Sequence, residues 1–215
     1  LHYGFAQRQS GGPPCMEMRD EEKGQAPPHW VSYVSVANAG DTAEKAKALG
    51  GTVMAEPFEV MDAGRMAIIQ DPGGATVALW EPKQHIGAEL VNEPGSFAWN
   101  ELATKDTAKS GQFYTKLFGW SSEAQDMGGT TYTSFSNGDR MAGGMMQMSE
   151  EWGDMPPHWM VYFAVADCDA SAEKVKELGG KVVVPPTDIP SIGRFAMIED
   201  PQGAHVSIIK LDNPD

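Results

Sequence analysis

Glu101, His158 and His205 supply the groups in this chain best suited to moving a proton. A carboxylate and an imidazole can act as general base and acid when they converge on one reacting atom. Arg65 and Arg194 each follow a glycine, and a permanently charged, fork-shaped guanidinium in such a place can clamp an anion. A surface ion pair at a strand end is the other reading of both. His29 and His158 each follow Pro-Pro, where an imidazole serves either as a ligand contact or as a half-exposed structural residue. Met141, Met145, Met146, Met148 and Met160 fill a core, or line a pocket that tolerates varied apolar ligands. Cys15 and Cys168 are isolated, so the sequence implies neither a disulfide framework nor a thiolate zinc site, and a reducing cytoplasm fits them.

Composition narrows the partners. Sixteen basic against thirty acidic residues give a net charge of -14, which repels phosphate backbones and anionic lipid, so nucleic acid is not expected. The 215 residues contain no apolar run near the roughly 18–20 residues of a membrane span. The first residues carry no initiator Met and lack the charged and apolar regions of a signal peptide, so the chain is expected to begin in the middle of a longer sequence.

These residues are placed by a repeat. The stretch from Pro27-Pro28-His29-Trp30 to Val77 matches that from Pro156-Pro157-His158-Trp159 to Val206 at an offset of 129 without a gap, about half of it identical. So long a period fits a duplicated domain better than a solenoid unit. The expected division is 1–82 for a first domain, 83–94 for a proline-bounded linker and 95–215 for a complete second domain. By the same offset the first copy is expected to lack its leading strand and helix in this chain. Within each copy, strand alternation at Trp30–Val36 or Trp159–Val165 gives way to a helix at Thr42–Leu49 or Ser171–Leu178. Thr42 and Ser171, or the nearby aspartates, are the expected caps, and Gly50 and Gly179 the stops. Three strands follow, the last two joined by Asp71-Pro72-Gly73-Gly74 in the first copy. The segment from Phe97 repeats the order, with an Asp106-capped helix ending at Phe118. The fold class is therefore α+β, built of paired βαβββ modules whose curled mixed sheets surround a cavity in a tandemly duplicated domain.

Paired βαβββ modules, a helix ending in Phe113-Tyr114-Thr115-Lys116-Leu117-Phe118-Gly119-Trp120, and an Asp-Pro-x-Gly turn resemble the vicinal oxygen chelate superfamily. That group holds glyoxalase I, extradiol dioxygenases and the fosfomycin and bleomycin resistance proteins, and the nearest type is the tandem glyoxalase-like protein. The resemblance implies metal ligands, His and Glu, from first and last strands. The matching positions here are Trp99, Val31, Met160, Ala78 and Ser207. None is a good hard-metal ligand, so neither metal nor cofactor is expected.

Those same positions mark the inward face of each strand. Trp99, Glu101 and Ala103, then His158, Met160 and Tyr162, then His205, Ser207 and Ile209 are expected there. A regular hairpin would add Arg194 opposite Ile209. The expected ligand contacts are Trp99, Met160, Tyr162, Arg194 and Ser207, with His29, Tyr33 and Arg65 in the first copy. The expected function is metal-independent binding of a small anionic or aromatic molecule, with homodimer formation left open. The alternative is a metal-dependent lyase, isomerase or dioxygenase of the glyoxalase type, with a rearranged metal site that draws on Glu101, His158 and His205.

Overall fold

The computed structural model describes residues 28–127 and 129–213. They form twelve strands and three helices in three successive βαβββ modules. The first holds β1 (Tyr33–Ser35), α1 (Ala39–Ala48), β2 (Thr52–Val60), β3 (Gly64–Gln70) and β4 (Thr76–Pro82). The second holds β5 (Phe97–Thr104), α2 (Thr107–Phe118), β6 (Ser121–Asp126), β7 (Thr131–Asn137) and β8 (Arg140–Gln147). The third holds β9 (His158–Ala164), α3 (Cys168–Glu177), β10 (Lys181–Ile189), β11 (Gly193–Glu199) and β12 (His205–Leu211). In each module the last strand pairs in parallel with the first and antiparallel with the one before it. Both β2 and β10 shift register at equivalent places, between Val53 and Phe58 and between Val182 and Thr187, so the duplication extends to local irregularities. Among the described residues no helix is long and apolar enough to cross a membrane.

The described residues fall into two compact units. One comprises Val31–Gly87 and Trp99–Trp159, the other 28–30, Ala88–Ala98 and 160–213. In the first unit α1 contributes Ala43 and Ala46, and α2 contributes Phe113, Tyr114 and Leu117, to a core with Ile69, Leu79, Phe135 and Trp159. Gly51 is needed here, since a Cβ at that position would sit 3.0 Å from the Phe113 ring. At the centre, the Trp159 indole N–H donates to the Tyr114 hydroxyl at 2.9 Å. Burial, and then the charge of Asp71, push the Tyr114 phenol well above its usual pKa, so it stays neutral. Asp71 in turn accepts the N–H groups of Gly73 and Ala75, fixing the β3–β4 turn. In the second unit, α3 packs through Cys168 on Ala196 and Ile208.

The structure corrects three local expectations. Helices α1 and α3 begin earlier, capped by the side chains of Asn38 and Asp167. Thr42 and Ser171 instead donate their hydroxyls back to the Asn38 and Asp167 carbonyls, at 2.7 and 2.6 Å. Strand β6 has no apolar alternation, because all six of its residues are exposed, and only pairing with β7 defines it. The third correction is one of register. Arg194 lies opposite Lys210, and Ile209 opposite Phe195. The Asp200 N–H bonds the Ala204 carbonyl, leaving a three-residue loop with Gly203 at φ +100. That loop shifts the pairing by one residue from the expected hairpin, which moves Arg194 to the other face of the sheet.

Replacing Tyr114 by Phe should strand the buried Trp159 N–H, at a cost of about 1–3 kcal/mol. A lower urea midpoint at unchanged slope is the expected result; an unchanged midpoint would show that the bond is dispensable.

Candidate functional site

Strand parity assigns the two faces of the second module. Leu102, Thr133, Phe135 and Met145 are buried on the face covered by α2. Trp99, Glu101, Tyr132, Ser134, Gly144 and Met146 take the other. On this open face the Trp99 indole N–H donates to the Tyr132 hydroxyl at 2.9 Å. The same hydroxyl interacts with the Glu101 carboxylate. Burial chiefly, then the Glu101 charge, raise the Tyr132 pKa far above its usual value, so it remains a neutral donor. The phenol therefore accepts from one neighbour and offers its proton to the other, which orients an indole plane and a carboxylate together.

This arrangement depends on Gly144. A Cβ there would overlap the Tyr132 hydroxyl oxygen and the ring carbon that carries it. The ring thus lies across bare backbone. Sequence reasoning missed both Tyr132 and Gly144, although adjacent glycines at Gly143 and Gly144 inside a strand are a signal of close approach.

His158 belongs to the same unit. Its Nδ1 lies 2.9 Å from the Pro156 carbonyl, which can only accept, so Nδ1 carries the proton and Nε2 a lone pair. The Trp152 ring lies 6.1 Å from the imidazole, centre to centre. His205 belongs to the other unit, where its Nε2 stands 3.6 Å from Glu199. Lys181 first, then His205, hold the Glu199 carboxyl below its usual pKa.

In the second unit the face of the sheet away from α3 carries Tyr162, Ser207 and Met197 in one row, and Ala164, Ile209 and Phe195 in the next, most of them buried. Met160, two residues before Tyr162, is buried. The Tyr162 and Phe195 rings lie 6.3 Å apart. Ser207 is fully buried, and its Oγ has no hydrogen-bond partner among the described residues. Arg194 is not on this face. Its Nε and Nη2 bond Asp169 at 2.7 and 2.9 Å, and its Nη1 bonds Asp188 at 2.9 Å. With two carboxylates on one guanidinium, the cluster has no positive charge to offer an anion.

The first copy differs. Tyr33 is half-buried and meets Trp80 edge-on at 6.4 Å, and burial raises its phenol. Arg65 lies opposite Glu81, whose carboxylate accepts the first N–H of α1 from Ala39 at 2.8 Å. His29 is exposed.

A sequence model of the Glyoxalase/Bleomycin resistance protein/Dioxygenase superfamily matches residues 7–79 and 95–208. The chain belongs to this superfamily. It is 43% identical over 185 residues to the putative glyoxylase CFP32 of Mycobacterium tuberculosis, covering 86% of this chain and 70% of that protein. It is 36% identical over 185 residues to the anthracycline biosynthesis protein DnrV of Streptomyces peucetius, covering 86% of this chain and 66% of that protein. Among solved structures, the Mn(II)-bound glyoxalase of Novosphingobium aromaticivorans shares the fold, with a TM-score of 0.57 at 14% identity over 86% of this chain and 65% of that one. The 2,2',3-trihydroxybiphenyl 1,2-dioxygenase of Sphingomonas wittichii RW1 has the same TM-score at 13% identity, over 84% and 69%.

The positions at which the resemblance implies metal ligands hold other side chains than His and Glu. Trp99 points an N–H donor at Tyr132, Met160 is a soft thioether, Val31 and Ala78 offer no ligand atom, and Ser207 has one neutral hydroxyl. Among the described residues no three His, Cys, Asp or Glu side chains converge.

Replacing Gly144 by Ala should expel the Tyr132 ring and release Trp99. A changed tryptophan emission spectrum is expected, with Tyr132→Ala in the Gly144→Ala background restoring the lost stability. A spectrum identical to wild type would show that the phenol is not seated on Gly144.

Proposed function

We propose that this chain binds a small, partly aromatic molecule without the aid of a metal. The observation that carries the reading is the Trp99–Tyr132–Glu101 arrangement over Gly144. A partly exposed indole held in one orientation offers a stacking surface. The carboxylate beside it rewards a hydrogen-bond donor or a cation and repels an anion. The ligand is therefore aromatic and neutral or cationic. The anion that Arg194 was expected to hold is abandoned, because Asp169 and Asp188 already neutralise that residue. The relative named for anthracycline biosynthesis supports a planar polycyclic class.

A second reading is proton transfer within the same unit. His158 favours it, since the Pro156 carbonyl fixes the imidazole in the tautomer whose Nε2 can accept a proton. Glu101 would be its acidic counterpart. This reading requires substrate turnover, and binding alone does not.

A fluorescence titration with a naphthylmethylammonium ion tests the proposal, the tryptophans being the reporters. Glu101→Gln should weaken this probe about tenfold, as expected for a charge-assisted hydrogen bond. Trp99→Leu should weaken it at least as much, and prior treatment with a chelator should change nothing. Equal affinity in all the variants, or loss of binding with the chelator, would refute metal-free recognition at this face.

A further inference from the structure

The two helices of the first unit meet at their ends, where the Lys45 ammonium of α1 donates to the Leu117 carbonyl of α2 at 2.9 Å. Beside Leu117 lies a cavity of about 200 Å³, bounded by β1 and the start of α1 on one side and by the end of α2 and of β7 on the other. All of its lining belongs to the first unit. Val34 and Val36 line it from the strand, and Leu117, Phe118 and Trp120 from the end of the helix. Gly119, at φ +73, stops α2 there and brings the Phe118 and Trp120 rings to 4.7 Å, centre to centre. Val34 and Leu117 belong to the core under the helices, so the cavity is on the opposite side of the second module's sheet from Trp99 and Glu101.

Size and lining together limit what can enter. An apolar cavity of about 150 Å³ holds one benzene ring, so this one takes a single ring with a small substituent and has no room for a polycycle. No charged side chain lines it, and an ion would lose its hydration there without a partner. Asn137, at the end of β7, is half-buried and makes no hydrogen bond with the described residues. Its amide offers both a donor and an acceptor to whatever enters. The repeat supplies an internal control. At the place of Val34 the second copy has Phe163, opposite Ile208 as Val34 is opposite Leu79. The strand thus accepts a phenyl group at this register, and the smaller valine of the first copy leaves that volume free.

We propose that this cavity is a second ligand site, for an uncharged single-ring phenol whose ring lies against Phe118 and Trp120 and whose hydroxyl hydrogen-bonds the Asn137 amide. It is separate from the Trp99 face and does not depend on what binds there. Its occupant touches α1 and α2 together, so binding ties the first module to the second.

Fluorine NMR titration of the whole chain with 4-fluorophenol and 4-fluorotoluene tests the proposal, because the two probes differ by a hydroxyl against a methyl group. Wild type should bind 4-fluorophenol about fivefold more tightly, the worth of about one neutral hydrogen bond. Asn137→Leu should erase that preference while still binding both. Val34→Phe, which puts the second copy's ring into the cavity, should bind neither, and Trp99→Leu should bind both as wild type does. Binding lost in Trp99→Leu and kept in Val34→Phe would place the ring on the sheet face, overturning this site and leaving the reading above intact. A preference that persists in Asn137→Leu, or no binding of either probe to wild type, would overturn it as well.

Discussion

A three-residue loop closed by a glycine in the left-handed region sets the parity of the β11–β12 hairpin. Gly203 at φ +100 allows Asp200 to pair with Ala204, and every later pair follows from that closure. In a pleated sheet, parity decides which side chains go under the helix and which face outward. Arg194 goes to the helix side, where Asp169 of α3 meets it. Ser207 goes to the other side, among Tyr162 and Met197. The same loop in the first copy, with Gly74 at φ +104, orders Arg65 and Ala78 in the same way. A single backbone conformation thus decides which residues lie under the helix and which lie on the opposite face of the sheet.

The two copies have used this shared frame differently. Their caps, bulges and turns coincide, while the outward faces have diverged at Ala78 against Ser207 and Trp80 against Ile209. The helix-covered face differs as well, at Leu79 against Ile208 and Glu81 against Lys210, so both faces have diverged within one shared backbone.

The architecture could be read from the chain because its signals are local. Alternation, the Gly50 and Gly179 stops, the Asp106 cap and the self-match each depend on a few neighbouring residues, and each stands as expected. The candidate site was legible only in part. Trp99, Glu101 and Ser207 follow from parity within one strand, which is also local. Arg194 required the register between two strands, and one residue of loop length reverses that answer. Tyr132 was hidden because it contributes through the far strand of its sheet, where β7 meets β8, and nothing in its neighbours announces the partners it reaches. Strand β6 carries no apolar pattern at all, since it is exposed along its whole length.

The seat beneath Tyr132 has a consequence for the history of the chain. Because a Cβ at position 144 would overlap the ring at position 132 as it lies here, the constraint runs one way: the ring can be lost while the glycine stays, but the glycine is not free to change while the ring keeps its seat. Lineages that keep the aromatic should keep the glycine, and lineages that acquire a side chain at 144 should already have lost the ring. The order of loss would then mark the branches of the superfamily in which Trp99 is held in this way.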